Sequence, residues 1–421
     1  MATTHPSQPS GERFSLLYRL SQTFNSSLDL DEVLNRVLDE VIAATRAERG
    51  FVMLQESDRR LTFRVARGMD QETIDDPQFQ VSRSVVERVA HEGQAILTSD
   101  AQSDDRFSMR QSVRFLGLRS ILCVPLKTKD QVSGVVYVDN RLRSGIFNRG
   151  HLDLLTAIAA SAAIAIENAR LYQVAVEKGR MERELQMAHQ VQASLLPRET
   201  PQIPGWEFAA RWQPAREMSG DYYDFIPTDG EQLGLVIADV TDKGMAAALF
   251  MAVTRSTVRA SVGRAPSPAD GIAHANRLIC ADSTQGMFVT LFYALLAPAS
   301  GELTYVNAGH NPPLLCRANQ DTLTELTRTG FPLGLIKDSS FEQRQVHLDP
   351  GDLLLFYTDG VTDATDAHLQ EFGMERLQDV LLEHRHAPAA GVMDALERAI
   401  HDFIGATAPF DDIAILVVRR G

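Results

Sequence analysis

The sequence predicts an α+β protein, built as two folded domains joined by a helical connector. Three observations predict it. Hydrophobic spacing switches from helical to strand-like and back between residues 14 and 172. A long helical stretch follows and is closed by Pro197. From Trp206 onward, short apolar runs of strand length alternate with amphipathic helical segments. The 421 residues suffice for two or three domains with ordinary cores.

A first helix is expected over Phe14–Phe24, with Leu16, Leu17, Leu20 and Phe24 on one side. A second follows Ser27, its face made by Leu30, Val33, Leu34, Val37, Leu38, Val41 and Ile42. Strands are predicted over Phe51–Leu54, Leu61–Ala66, Ile121–Leu126 and Val132–Val138, with a short helix at Val85–Ala90 and a polar loop at Asp100–Phe107. This domain spans residues 14–172. A helical linker, residues 173–197, continues its last helix. Ile158, Ala162, Ala165, Ala169, Tyr172 and Val176 make a coiled-coil seam. The seam stumbles at Lys178-Gly179-Arg180 and resumes at Met181, Leu185, Ala188 and Leu195 in a shifted register. A surface helix of the first domain is the plainer alternative. The strand-rich domain covers 198–421, with helices at Met245–Ser261, Pro268–Asp282, Met374–Glu383 and Val392–Ile404. Its strands are expected at Leu233–Ala238, Phe288–Leu296, Leu303–Asn307, Leu353–Tyr357 and Ile413–Val418, the second and third joined by a hairpin turn at Pro298–Gly301.

A formal net charge of −14 argues against a protein that grips nucleic acid or an anionic membrane surface. Cys123, Cys280 and Cys316 are too few and too scattered for a disulfide framework. Cys123 reads as a core thiol. Met1–Gly11 lacks a signal-peptide core, and the longest apolar run, Ala157–Ile166, is too short to span a bilayer, so a cytoplasmic address is expected.

The chemistry lies in aspartates. Leu235–Ala238 is an apolar strand ending in Asp239, and Leu353–Tyr357 runs through Thr358 into Asp359-Gly360. A carboxylate at the end of a buried strand is costly unless it is paired or bound to a metal. Further clusters, Asp221-Tyr222-Tyr223-Asp224 and Asp411-Asp412, flank other strands. Taken singly, Asp224, Asp242 and Asp363 read as turn or cap residues. Four clusters beside apolar strands are oxygen-only donor sets of the kind that suits Mn²⁺ or Mg²⁺. Competing chemistries lack their parts: there is no phosphate-binding Gly-Lys-Ser/Thr loop, no dinucleotide Gly-x-Gly turn, no zinc helix, no nucleophile elbow and no Cys with an Arg six positions on.

Six ordered blocks from Gly220 onward then carry a resemblance. They are Gly220-Asp221-Tyr222-Tyr223-Asp224-Phe225, Ile237–Gly244, Phe288–Tyr293, Asn307–Pro313, Tyr357–Ala364 and Asp411-Asp412-Ile413. Together they resemble the SpoIIE branch of the PPM (type 2C) serine/threonine phosphatases. Ser120–Leu126 and Val132–Val138 resemble blocks of a GAF domain. The resemblance implies a GAF sensor domain, a helical coiled-coil linker, and a PPM β-sandwich flanked by helices. It implies two ions roughly 4 Å apart that share and activate a water, without a phosphoenzyme. It places Asp239 between the ions, with the Val240 carbonyl, Asp359, Asp411 and Asp221 completing the set; Asp411 is preferred over Asp412. Asp239 and Asp359 are the residues on which catalysis would rest. Where the family's general acid lies near the bridging aspartate, this chain has Thr241-Asp242, and His310 is a candidate with an equally good turn-stabilising role.

The expected function is a sensor-regulated phosphatase acting on phosphoserine or phosphothreonine of a signalling protein, of the anti-sigma-factor-antagonist class. A small-molecule GAF ligand and a second copy of the chain complete the expected partners, with no nucleic acid and no membrane among them. The alternatives are an inactive signalling scaffold and, less favoured, a histidine kinase with His189 as acceptor. The sequence after His189 lacks a phospho-acceptor box, and His189 reads as a solvated helix residue.

Overall fold

The computed structural model describes residues 18–421 except 20–21, 25, 57, 59, 71, 75–80, 105–115, 229–230, 284–285 and 408. Most of the expected Phe14–Phe24 helix, with Leu16, Leu17 and Leu20, lies outside the described residues, as does the end of the Asp100–Phe107 loop; 18–19 and 22–24 are helical. The chain divides into two compact units, Met1–Met181 and Glu182–Gly421.

In the first unit, α1 (Leu30–Thr45) starts where the Asp29 carboxylate accepts the Glu32 N–H at 2.9 Å, a side-chain N-cap. Strands β1 (Arg49–Gln55) and β2 (Leu61–Gly68) follow, then α2 (Arg83–Glu92), β3 (Ile96–Thr98), β4 (Ser120–Thr128) and β5 (Gln131–Asn140). They form an antiparallel sheet of order β2-β1-β5-β4-β3. The sheet is covered on both faces, which is why β1, β4 and β5 are buried along most of their length. Val37 and Val41 of α1 pack with Leu122, Val136 and the start of α3 (Arg149–Leu195) in one core. Val85 and Val89 of α2 pack with Phe51, Cys123 and Tyr137 in the other. Cys123 is a buried core thiol.

The α3 helix runs unbroken for 47 residues through Gly179. Four positions of the expected Ile158–Val176 seam are already used: Ile158, Ala162 and Ala165 pack into the core of their own unit, and Ala169 is buried as well. Tyr172 and Val176 are exposed. By length and composition alone α3 could cross a membrane, and 44% of its apolar stretch is buried inside the protein.

The second unit is a four-layer sandwich. In chain order come β6 (Trp206–Gln213), β7 (Tyr222–Pro227), β8 (Leu233–Val240), α4 (Met245–Val262), α5 (Pro268–Asp282), β9 (Val289–Ala297) and β10 (Glu302–Ala308). Then follow β11 (Leu314–Cys316), β12 (Leu323–Glu325), β13 (Arg344–His347), β14 (Leu353–Tyr357), the one-turn α6 (Asp359–Thr362), α7 (Gly373–Glu383), α8 (Ala389–Ile404) and β15 (Ile413–Arg420). Two five-stranded sheets, ordered β13-β10-β9-β8-β7 and β12-β11-β14-β15-β6, enclose a core containing Leu235, Ile237, Phe292, Phe356 and Leu416. Helices α4 and α5 cover the first sheet through Met251, Val258 and Ile272. Helices α7 and α8 cover the second through Leu377, Leu381 and Leu396. The β9–β10 hairpin closes at the predicted turn, where the Gly301 N–H donates to Ala297 O at 2.9 Å.

Candidate metal centre

Register brings the aspartates together. Strand β7 pairs with β8 so that Tyr222 faces Ala238, which sets Asp221 and Asp239 at the same end of adjacent strands. Strand β14 pairs with β15, Tyr357 facing Ile415, and the Ala414 N–H donates to Thr358 Oγ1 at 2.9 Å. Asp359 therefore leaves β14 beside the point where Asp411-Asp412 leads into β15. Gly360 is required there: a Cβ would stand 1.8 Å from Asp412 O. Gly220 has a similar role, since a Cβ there would lie 2.9 Å from the Val240 carbonyl.

The carboxylates feel one another. Asp221 is held well above the ordinary carboxylate range by burial first and then by the charge of Asp239. Burial pushes Asp239 up to about 7, with further pressure from Asp359, Asp411 and Asp412. Asp359 is raised by burial and by Asp411. Asp221 Oδ2 is buried without a hydrogen-bond partner. Among the described residues, no three His, Cys, Asp or Glu side chains are already gathered into a metal cage. Asp221, Asp239, Asp359 and Asp411 nevertheless lie near enough for one to raise another's pKa, and that repulsion is what a divalent cation would relieve. An all-oxygen set, mutual repulsion and an unpartnered buried oxygen fit a hard divalent ion.

The two neighbouring aspartates differ in their engagements. Asp412 Oδ1 accepts the Ala215 N–H and Oδ2 the Gly220 N–H, both at 2.8 Å, so its carboxylate ties down the 215–220 loop. Asp411 is partly exposed, accepts the Asp412 N–H at 2.9 Å and pairs with Lys243 Nζ at 2.9 Å. Lys243 carries no signal of a role in the sequence; only the fold brings it across to Asp411. Asp224 does not face the cluster. It is fully buried between Arg255 (3.1 Å) and Arg259 (2.6 Å) of α4, fastening that helix to β7.

His310 is fully buried, its ring Nδ1 2.8 Å from Thr290 Oγ1, while its backbone N–H donates to Asn307 Oδ1 at 2.8 Å. Burial pushes its pKa down to about 3, so it is neutral and fixes a turn. His189 is half-buried and not fully solvated as expected: its ring stacks on Trp212 at 5.5 Å and 17°, and Nδ1–H donates to Glu217 O at 2.9 Å. Nδ1 and one ring face are engaged by protein, which suits a packing role.

Residues 229–421 match the family described as Stage II sporulation protein E (SpoIIE), and residues 27–167 match the GAF domain. The chain is 31% identical over 242 residues to the phosphoserine phosphatase RsbU of Bacillus subtilis, covering 56% of this chain and 70% of that one. It is 31% identical over 264 residues to Protein IcfG of Synechocystis sp., covering 56% of this chain and 41% of that protein. Among solved structures, the SiaA-PP2C domain of Pseudomonas aeruginosa superposes with a TM-score of 0.52 at 20% identity, over 58% of this chain and 98% of that domain, which shows a shared fold. The chain belongs to the SpoIIE-type family of PPM phosphatases and carries a GAF domain ahead of its phosphatase domain.

Proposed function

We propose that the chain is a metal-dependent protein phosphatase that removes phosphate from serine or threonine of a signalling protein. The carrying observation is the convergence of Asp221, Asp239, Asp359 and Asp411, from four separate segments, at one end of the sandwich. Asp239, Asp359, Asp411 and Asp221, with the Val240 carbonyl, would hold Mn²⁺ or Mg²⁺, in a pair by family resemblance. Bound ions supply an activated water and neutralise charge on the phosphoryl oxygens. The chain's own part is positional. Asp412 pins the 215–220 loop through two backbone amides, Thr358 ties the exit of β14 to β15, and Gly360 lets Asp412 O approach. The domains assigned are 14–172, 173–197 and 198–421.

The substrate class, a phosphorylated anti-sigma-factor antagonist, rests on the family resemblance and on RsbU being a phosphoserine phosphatase. A small molecule on the GAF domain, a homodimer and a cytoplasmic address complete the reading. The test is hydrolysis of p-nitrophenyl phosphate and of a phosphoserine peptide with Mn²⁺. Wild type should turn both over and Asp239→Asn should lose at least a hundredfold. An inactive wild type, or a variant as active as wild type, rejects it. Calorimetry showing no Mn²⁺ or Mg²⁺ uptake would favour a scaffold instead.

A further inference from the structure

The loop that delivers Asp221 is held from outside the sheets, by the last turns of α3. Gln192 is 3% exposed and makes two hydrogen bonds to one residue of that loop. Its Nε2 donates to Ser219 O at 2.6 Å, and its Oε1 accepts the Ser219 N–H at 3.1 Å. A primary amide paired with a single residue's N–H and C=O fixes both the position and the direction of that peptide. One turn earlier, His189 donates to Glu217 O at 2.9 Å and stacks on Trp212. The Trp212 Nε1–H donates in turn to Asp221 O at 2.9 Å. One turn later, Leu196 is buried with Tyr222, Ala247 and Met251, which lie at the starts of β7 and α4. Asp412 restrains the same loop from the other side, through the Ala215 and Gly220 N–H groups.

We infer that Gln192, with His189 and Trp212, is a positioning latch that sets Asp221 at the metal centre, so that displacement of the α3 end lowers metal affinity. This rests on the phosphatase reading and deepens it by naming where the helix acts. None of the three side chains touches the reacting atoms. Ser219 is fully buried, and its Oγ accepts the Asp221 N–H at 3.0 Å, so a shift of Ser219 is passed directly to Asp221. Freed from Gln192, Ser219 would keep a buried N–H and C=O without partners, so releasing the latch is costly.

The experiment uses the full chain with Gln192→Ala and Trp212→Phe, the second keeping the ring and losing only the N–H. Calorimetry should show Mn²⁺ bound at least tenfold more weakly by both, with kcat reduced and KM for a phosphopeptide within twofold. In chelator, the amides of residues 217–221 should exchange hydrogen at least tenfold faster than in wild type. Should Gln192→Ala fail to fold, Trp212→Phe decides alone. Mn²⁺ affinity within twofold of wild type in the folded variants overturns the latch while the phosphatase reading stands. Wild type taking up no Mn²⁺ overturns that reading, and amide exchange then judges the latch: unchanged protection overturns it.

Discussion

Gly360 stands where the chain has no room for a side chain. A methyl group would lie 1.8 Å from Asp412 O, against backbone that cannot swing aside. Gly360→Ala should therefore destabilise the second unit by about 2 kcal/mol in urea unfolding and cut phosphatase activity at least tenfold; stability and activity both at wild-type level would contradict the packing described. The carboxylates themselves predict a pH dependence. Asp221, Asp239 and Asp359 all bind protons more tightly when folded than when unfolded. Their contribution is complete below the unfolded value of 3.8 and is lost as pH rises through the folded values, about 7 for Asp239. In chelator, the melting temperature should fall between about pH 5 and pH 8, and saturating Mn²⁺ should abolish that fall by supplying the missing positive charge. A metal-free protein that gains stability over the same window would refute the mutual repulsion. At this scale the sequence singles out the aspartates proposed as ligands, because a charge ending an apolar strand is conspicuous. It could not disclose that Asp412 is spent on two amides or that Lys243 reaches Asp411, since those partners come from distant segments.

Elements buried on both faces were legible, and mixed ones were not. Strand β14 is buried throughout, and Leu353–Tyr357 was read with its true ends. Strand β6 is only partly buried and begins after a Pro-rich stretch, so it carries no apolar run to notice. Strand β7 holds Asp224 in its middle, which looks like a turn until Arg255 and Arg259 of α4 are seen to enclose it. Strands β11, β12 and β13 have three or four residues each, too short for a period to show. Helix α3 exposes a different limit. Its apolar positions Ile158, Ala162 and Ala165 look like a partner-binding seam in sequence and serve an intramolecular core. Gly179 lies farther along, with open space around its missing Cβ. Gly179→Ala should therefore stiffen α3 by about 1 kcal/mol of helix propensity without any clash. Coupling through the connector predicts altered basal or stimulated activity in that variant; unchanged values for both would detach the helix from control.

For the whole molecule, the question is what covers the apolar residues that α3 leaves in solvent. Leu171, Val174 and Met181 are 57%, 59% and 57% exposed, and Leu185 and Ala188 are half-buried. With Lys178 they fall at spacings of 3, 4, 3, 4 and 3 residues, an a/d heptad pattern that passes Gly179 without changing register. This seam is not the one expected from Ile158 to Val176; it lies on the face that the first unit's core does not use. Gly179 falls one residue beyond Lys178, off the stripe, so the helix tolerates it at a position facing away from a partner. A second copy would supply the same pattern, and one charged residue at an a position fixes the pairing register at some cost in stability. A net charge of −14 on each copy opposes association, so pairing should tighten as salt screens it. Met181→Glu tests this without touching either folded core, because Met181 is already exposed in the single chain. Light scattering should find a dimer for wild type, more so at high salt, and a monomer for Met181→Glu with an unchanged melting temperature at low concentration. A monomeric wild type at tens of micromolar would remove the second copy as the answer, and a dimer that survives the substitution would place the interface away from this stripe.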